Sequence, residues 1–295
     1  IKGGSYFSTG NSALKDSRYA FRRHFFQHAG FRYVEGEEPI ITTSNPYETD
    51  EQVSQYIEFH FGSDYHGVPN FAGACGTLCL EYFAAKTEKK QSRRALDLGC
   101  AIGRTSFELA REFDHVDGID FSARFVSAAT QLKENDSKRY TIRDEGDLFS
   151  FKETSLAEHG LAETAHKCEF WQGDACNLSD KFSNYDLVFA GNLIDRLYEP
   201  EKFVSRIHEL VNEDGLLVIT SPYTWLSEFT DQENWIGGYK RDGENFTTLD
   251  GLKELLAPHF DLVDEPRDVP FVIRETARKF QHSVAQMSVW HKRIK

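Results

Sequence analysis

Apolar residues fall along this chain in two alternating rhythms. Val53, Tyr56, Ile57, His60 and Phe61 recur at three- and four-residue spacing and predict a helix running on from Tyr47; a second helix is expected over 73–86. The stretch "RRALDLGCAIGRTSFELA" (93–110) then passes from a short apolar run through a glycine turn into an amphipathic run, which reads as strand, turn, helix. "HVDGIDFS" reads as a second strand ending at Asp120, with Ser122 capping a helix that carries Phe125, Val126 and Ala129. Two β-rich runs around an Asp-Glu-Gly-Asp turn, within "KRYTIRDEGDLFSFKETSL", predict a hairpin set into the α/β alternation. The alternation resumes with "CEFWQGDA", "YDLVFAGN" and "GLLVITSPY". The last two are almost continuously apolar, as strands covered on both faces are. A helix over 249–257 and two closing strands, the second antiparallel, complete the expectation of a mainly parallel sheet with helices on both faces.

Residues 1–34 are aromatic and basic, "EGEEPI" with Pro39 reads as a linker, and a boundary is expected between 1–39 and 40–295. His24 and His28 share a helix face without a third ligand nearby, so no metal is assigned. The stretch from Trp225 to Phe246 is long, polar and irregular, carries Trp235 and Gly237-Gly238, and reads either as a lid at a strand end or as a surface insertion. The chain begins at Ile1, consistent with a piece of something longer.

Length and composition narrow the chemistry. A chain of 295 residues, 40% apolar, with no apolar run approaching the roughly 20 residues of a membrane span, is expected to be globular and off the membrane. Five cysteines without a CxxC pair favour a reducing cytoplasm. A net charge of −13 repels phosphate backbones, so a small-molecule substrate is expected rather than a nucleic acid.

Ligands of open parallel sheets bind beyond the carboxyl ends of the strands, and those ends can be read off directly. They deliver Gly99 to Gly103, Asp120, Asp174, Asn192, the segment 221–223, and finally Arg274 and Glu275. Arg104 and Thr105 after Gly103 exclude a P-loop, which needs Lys-Ser/Thr there, and Ala101 at the middle glycine position argues against a dinucleotide fingerprint. Asp120, about twenty residues after the turn, is placed to hold both hydroxyls of a ribose.

"DLGCAIG", "GIDFS" and "WQGDA", in this order and with a terminal antiparallel strand, resemble the class I S-adenosylmethionine-dependent methyltransferases. The resemblance implies a Rossmann-like fold with a seven-stranded sheet whose last strand is antiparallel. It also implies S-adenosylmethionine as methyl donor, with S-adenosylhomocysteine as product and no metal. It assigns the donor's methionine part to Asp97, Gly99, Cys100, Ala101 and Gly103, its ribose to Asp120, and its adenine to Phe121, Asp174 and Ala175; Asn192 can meet either donor or acceptor.

The flanks resemble a narrower group. "NPYETDEQVSQYIEFHFG", "GVPNFAGACG", "GNLIDRLYEP", "SPYTWLSEFTDQENWIGG" and "PFVIRETARKFQHSVAQMSVWHK" are similar to the carboxyl-terminal methyltransferase domains of ovothiol biosynthesis enzymes of the OvoA type. "GGSYFSTG" and "RRHFFQHAGFR" resemble the end of the sulfoxide synthase domain that precedes it there, to which this domain would be fused or after which it would act. The implied reaction is N-methylation of the imidazole of 5-thiohistidine to ovothiol A. Candidates around that ring are Tyr47, Tyr56, Phe71, Tyr223 and Trp225; for its carboxylate and amine, Arg196, Arg274 or Arg278 with Glu275 or Asp195; and for a proton acceptor, His60 or His282, whose ordinary pKa is near 6.5. A methyltransferase acting on another small metabolite and a non-catalytic binding module are the alternative readings. A nicotinamide dehydrogenase fits poorly without the third fingerprint glycine.

Overall fold

The computed structural model describes residues 46–87 and 92–294. The expected helix with His24 and His28, the linker at Pro39 and the boundary at residue 39 lie outside the described residues.

Two helices lead in: α1 (Asp50–Phe61), whose N-cap Thr49 accepts from Gln52 N, and α2 (Phe71–Lys86), capped by Asn70. The core alternation follows as β1 (Arg94–Leu98), α3 (Arg104–Leu109), β2 (His115–Asp120) and α4 (Ala123–Asn135). The hairpin β3 (Ser137–Glu145) and β4 (Leu148–Ser155) stands where the sequence places it. Next come β5 (Cys168–Gln172), β6 (Tyr185–Gly191), α5 (Pro200–Arg206) and β7 (Val211–Ser221). A small hairpin, β8 (Tyr239–Arg241) and β9 (Glu244–Phe246), occupies the polar stretch, and α6 (Thr248–Leu256), β10 (Phe260–Leu262), β11 (Arg267–Arg274) and β12 (Phe280–Lys292) close the chain.

The sheet runs β10-β12-β7-β6-β1-β2-β5, with β11 also paired to β12. From β7 to β5 every pairing is parallel, and β12 runs antiparallel to β7. Seven strands were expected and eight are present, because β12 is 13 residues long and its outer edge takes β11 along its first half and β10 along its last. The sheet is therefore still seven positions wide. α1 to α4 pack on one face, with Phe61, Cys75, Phe107 and Phe125 against Ala95, Leu187 and Val218. α5 and α6 pack on the other, with Phe203, Leu252 and Leu256 against Leu96, Val188 and Leu217. β6 and β7 are buried on both faces, which accounts for their unbroken apolar sequence.

The chain runs outward from β1 to β2 and β5, then returns to lay β6 on the other side of β1. That reversal opens a crevice between the ends of β1 and β6. The turn lining it depends on glycine: Gly99 and Gly103 have φ of 73° and 83°. A Cβ on Gly103 would come within 2.6 Å of the Phe170 ring. Gly103→Ala is therefore expected to lose about 2 kcal/mol, through left-handed strain and overlap together. Thermal melts should show a lower Tm, partly restored by adding Phe170→Leu; an unchanged Tm would remove this account of the turn.

Candidate active site

One cavity of about 1140 Å³ lies along the carboxyl rim, from Asp174 after β5 to Glu275 after β11. Asp120, at the end of β2, is its best-defined group. One carboxylate oxygen accepts from Ala101 N at 2.9 Å and the other from Ser122 N at 2.8 Å. Burial raises its pKa to about 6, against the lowering effect of those two N–H groups. Asp97 also faces the cavity; burial raises it to about 7, while the Ser106 hydroxyl donates to it at 2.6 Å. Asp174 accepts from Cys176 N at 2.9 Å and from the Tyr198 hydroxyl at 2.7 Å. The rim backbone is strained at non-glycine positions, with φ of 45° at Ala101 and 50° at Asn192. Asn192 is held to β7 by its own N–H on Thr220 O at 2.8 Å and by its side-chain oxygen, which accepts from Thr220 Oγ1 at 3.2 Å.

The sequence candidates divide. Asp97, Gly99, Cys100, Ala101, Asp120, Phe121, Asp174, Ala175 and Asn192 all line the cavity, as do Tyr47, Tyr56, His60, Phe71, Asp195, Arg196, Arg274 and Glu275. Gly103 does not; its glycine answers to Phe170. Tyr223 and Trp225 do not line it either, although Pro222 and Thr224 do. The Tyr223 hydroxyl donates to Gln286, while Trp225 stacks on Trp235 at 6.0 Å and donates to Thr248 Oγ1. This indole pair ties the long segment to α6, and of 226–246 the cavity takes Glu228 and Phe229. His282 is exposed on the far side of β12, between the lining residues Gln281 and Ser283. Arg278 is exposed and outside the lining.

His60 reaches the cavity but differs from the expected base. Burial first, and the Arg104 guanidinium second, depress it to about 3, and its Nδ1 accepts from Arg104 N at 3.4 Å. The expected cations are committed as well. Arg196 donates to Asp195 Oδ2 and to Thr224 O, both at 2.8 Å, and contacts the Tyr47 hydroxyl. Asp195 is buried and also accepts from Ser221, so it serves that ion pair. Arg274 donates to Asp144 Oδ1 at 2.8 Å.

Several lining groups escaped the sequence reading. Tyr198 orders Asp174, and Phe229 carries the Arg196 guanidinium 5.2 Å from its ring. Glu58, buried on α1, accepts from Tyr140 and from Lys152 at 2.7 Å and so fastens the β3–β4 hairpin over the cavity. The signal for Glu58 was available: a carboxylate on the inward stripe beside Ile57 and Phe61 requires a partner. At the opposite rim, His115, Asp117 and Glu169 bring ligand-type atoms within 4.8 Å of one another, yet Asp117 is already taken up by Trp171 and Tyr185, both at 2.8 Å.

Comparison with known proteins accords with this geometry. Residues 89–249 match the family described as methyltransferase domain, more than half of the chain, and the chain belongs to that family. Ajmaline N-methyltransferase of Rauvolfia serpentina is 28% identical over 145 residues, covering 49% of this chain and 40% of the relative. The chain spans less than half the length of the curated relatives it matches. Among solved structures, magnesium protoporphyrin IX methyltransferase of Synechocystis, determined with bound SAM, superposes with a TM-score of 0.50 at 13% identity, covering 83% of this chain and 93% of that one. The fold is thereby a Rossmann-like methyltransferase fold. Among the described residues, no helix is long and apolar enough to cross a membrane.

The state of His60 predicts an acid sensitivity. Its ordinary pKa is 6.5 and its folded value about 3, so between these the unfolded chain binds the extra proton. Its contribution to stability is complete above pH 6.5 and is lost as pH falls toward 3. Between pH 7 and 5, Tm should fall less in His60→Gln, which keeps an acceptor for Arg104 N, than in the unmodified protein; equal slopes would refute the assignment.

Proposed function

We propose that this chain is an S-adenosylmethionine-dependent N-methyltransferase that methylates an imidazole nitrogen of 5-thiohistidine, giving ovothiol A. The observation that carries the reading is the Asp120 carboxylate, buried at the end of β2 and pinned by two N–H groups, in a cavity that continues into a chamber of aromatic and charged side chains.

The residues fit the donor. Each Asp120 oxygen accepts one N–H and keeps a lone pair for a ribose hydroxyl. Asp97 and Asp120, raised to about 7 and about 6, are ionised at mildly alkaline pH and favour a cation there. Phe121, 55% exposed in the lining, offers an apolar face to an adenine beside Asp174 and Ala175. When bound, S-adenosylmethionine supplies a methyl group on a positively charged sulfur that departs as a neutral thioether.

The rest is alignment and exclusion of water. Tyr56, Phe71 and Asn192 line the same cavity as Asp120, and in this reading the two rings flank the imidazole. His60 is held neutral and weakly basic and His282 lies outside, so the acceptor is the ring nitrogen that carries a lone pair in the neutral imidazole. The resemblance of the flanks supports 5-thiohistidine over other metabolites and a step that follows a sulfoxide synthase, and the five cysteines without a CxxC pair support a cytoplasmic setting.

Mass spectrometry of 5-thiohistidine incubated with the protein and S-adenosylmethionine should reveal a singly methylated ring. Histidine should react poorly, and equal kcat/KM on the two would leave only a generic methyltransferase. Asp120→Ala removes charge-assisted hydrogen bonds, so calorimetry should show donor affinity reduced at least ~tenfold. Unchanged affinity would sink the ribose assignment.

A further inference from the structure

The described residues bring four permanent cations to the cavity, Arg143, Arg196, Arg274 and Lys279, and each lies beside an acid. Arg196 is consumed by Asp195, Thr224 and Tyr47. Arg274 is consumed by Asp144 and Thr276 O, and Lys279, 70% exposed, pairs with Glu275. Arg143 differs. Its Nε is buried without a hydrogen-bond partner: Glu51 Oε1 pairs with it at 3.2 Å by charge alone, without bonding geometry, and both side chains reach solvent, 37% and 61% exposed.

We infer that Arg143 is the specificity determinant for the acceptor and docks a carboxylate; the inference rests on the methyl-transfer reading above. Arg143 pairs across the hairpin with Phe149, and its guanidinium carbon lies over that ring, 5.3 Å from the centroid, a cation–π contact that steadies the fork. The register shift between Arg143 and Glu145 sends the intervening Asp144 to Arg274, which fixes the hairpin tip to β11. Arg143 is thereby held on a braced element that lines the same cavity as Asp120 and Asp174. Asp97, Asp120, Asp174 and Glu228 line this cavity without a cation partner among the described residues, so an anion is disfavoured beside them. The Arg143 fork is where an anion is accepted, and the preferred acceptor is a small carboxylate-bearing molecule. Glu51 competes for the same fork from the mouth.

The test compares 5-thiohistidine and L-histidine with their decarboxylated amines. Binding is read by calorimetry in the presence of S-adenosylhomocysteine, and methyl transfer by kinetics. The unmodified protein should bind the carboxylate forms at least ~tenfold more tightly than the amines. Arg143→Gln should abolish that preference by raising KM for the acids at least ~tenfold, with kcat and donor affinity nearly unchanged and the amines unaffected. Arg143→Lys, a point charge without the fork, should fall between. Glu51→Gln, which removes the competitor, should lower KM for the acids several-fold. If Arg143→Gln leaves the preference intact, if Glu51→Gln weakens the acids, or if the unmodified protein shows no preference, the inference is overturned. Absence of methyl transfer alongside a preference that Arg143→Gln abolishes would refute the thiohistidine reaction while upholding the carboxylate site.

Discussion

The architecture of this rim depends on one carboxylate held by two backbone N–H groups from separate elements. Asp120 bonds Ala101, in the turn after β1, and Ser122, at the start of α4. The same turn is hung from β2 by Gly99 N and Cys100 N, both donating to Ile119 O. Ser122 then caps α4 through Phe125 N and donates to Tyr47 O, which brings Tyr47 to Arg196. A path of hydrogen bonds thus runs from the glycine turn to the roof of the cavity. Burying the carboxylate raises its pKa, and the two N–H donors offset part of that cost.

Around this pin the cavity wall is built from charges that neutralise one another. Arg196 with Asp195, Arg274 with Asp144, and Lys152 with Glu58 each join segments far apart in sequence or brace a tight loop. Removing one partner of a buried pair strands the other and costs about 3–5 kcal/mol. Such residues are poorly suited to exchanging partners with an incoming substrate. On the proposed reading, recognition falls to groups with spare capacity, the carboxylate of Asp120 and the fork of Arg143.

Strand ends were legible in the sequence because two-face burial leaves continuous apolar runs, and the carboxyl-end rule then named the rim from Gly99 to Glu275. The parity of side chains past those ends was not. Tyr223, Trp225 and His282 miss the cavity by one position, while Pro222, Thr224, Gln281 and Ser283 reach it. Side chains alternate along extended backbone, so an offset of one residue exchanges wall for exterior. Tyr223 also sits at φ 54°, a local reversal that no periodicity announces. Commitment of charge was equally hidden, since Asp144 lies 130 residues from Arg274. The eighth strand escaped because β10 and β11 share one edge of an unusually long β12.

The two sides of the cavity are built by different means, and this bears on how an acceptor is chosen. The side proposed for the donor belongs to the parallel sheet itself: Asp97 lies in β1 next to its last residue, Asp120 ends β2 and Asp174 follows β5, strands whose positions the whole core determines. The side proposed for the acceptor is walled by a hairpin inserted between α4 and β5 and fastened by side chains, through Glu58 to Tyr140 and Lys152 and through Asp144 to Arg274. Its inner face adds Tyr140 and Ile142 to the core, while its outer face carries Leu148 and Phe151, 67% and 86% exposed, and is free to vary. Substitutions in this hairpin alter the acceptor wall without disturbing the β1 and β2 turns that hold Asp120. A methyltransferase sheet can in this way keep one donor site and acquire a new acceptor, with residues such as Arg143, on the inference proposed above, setting which anion the wall admits.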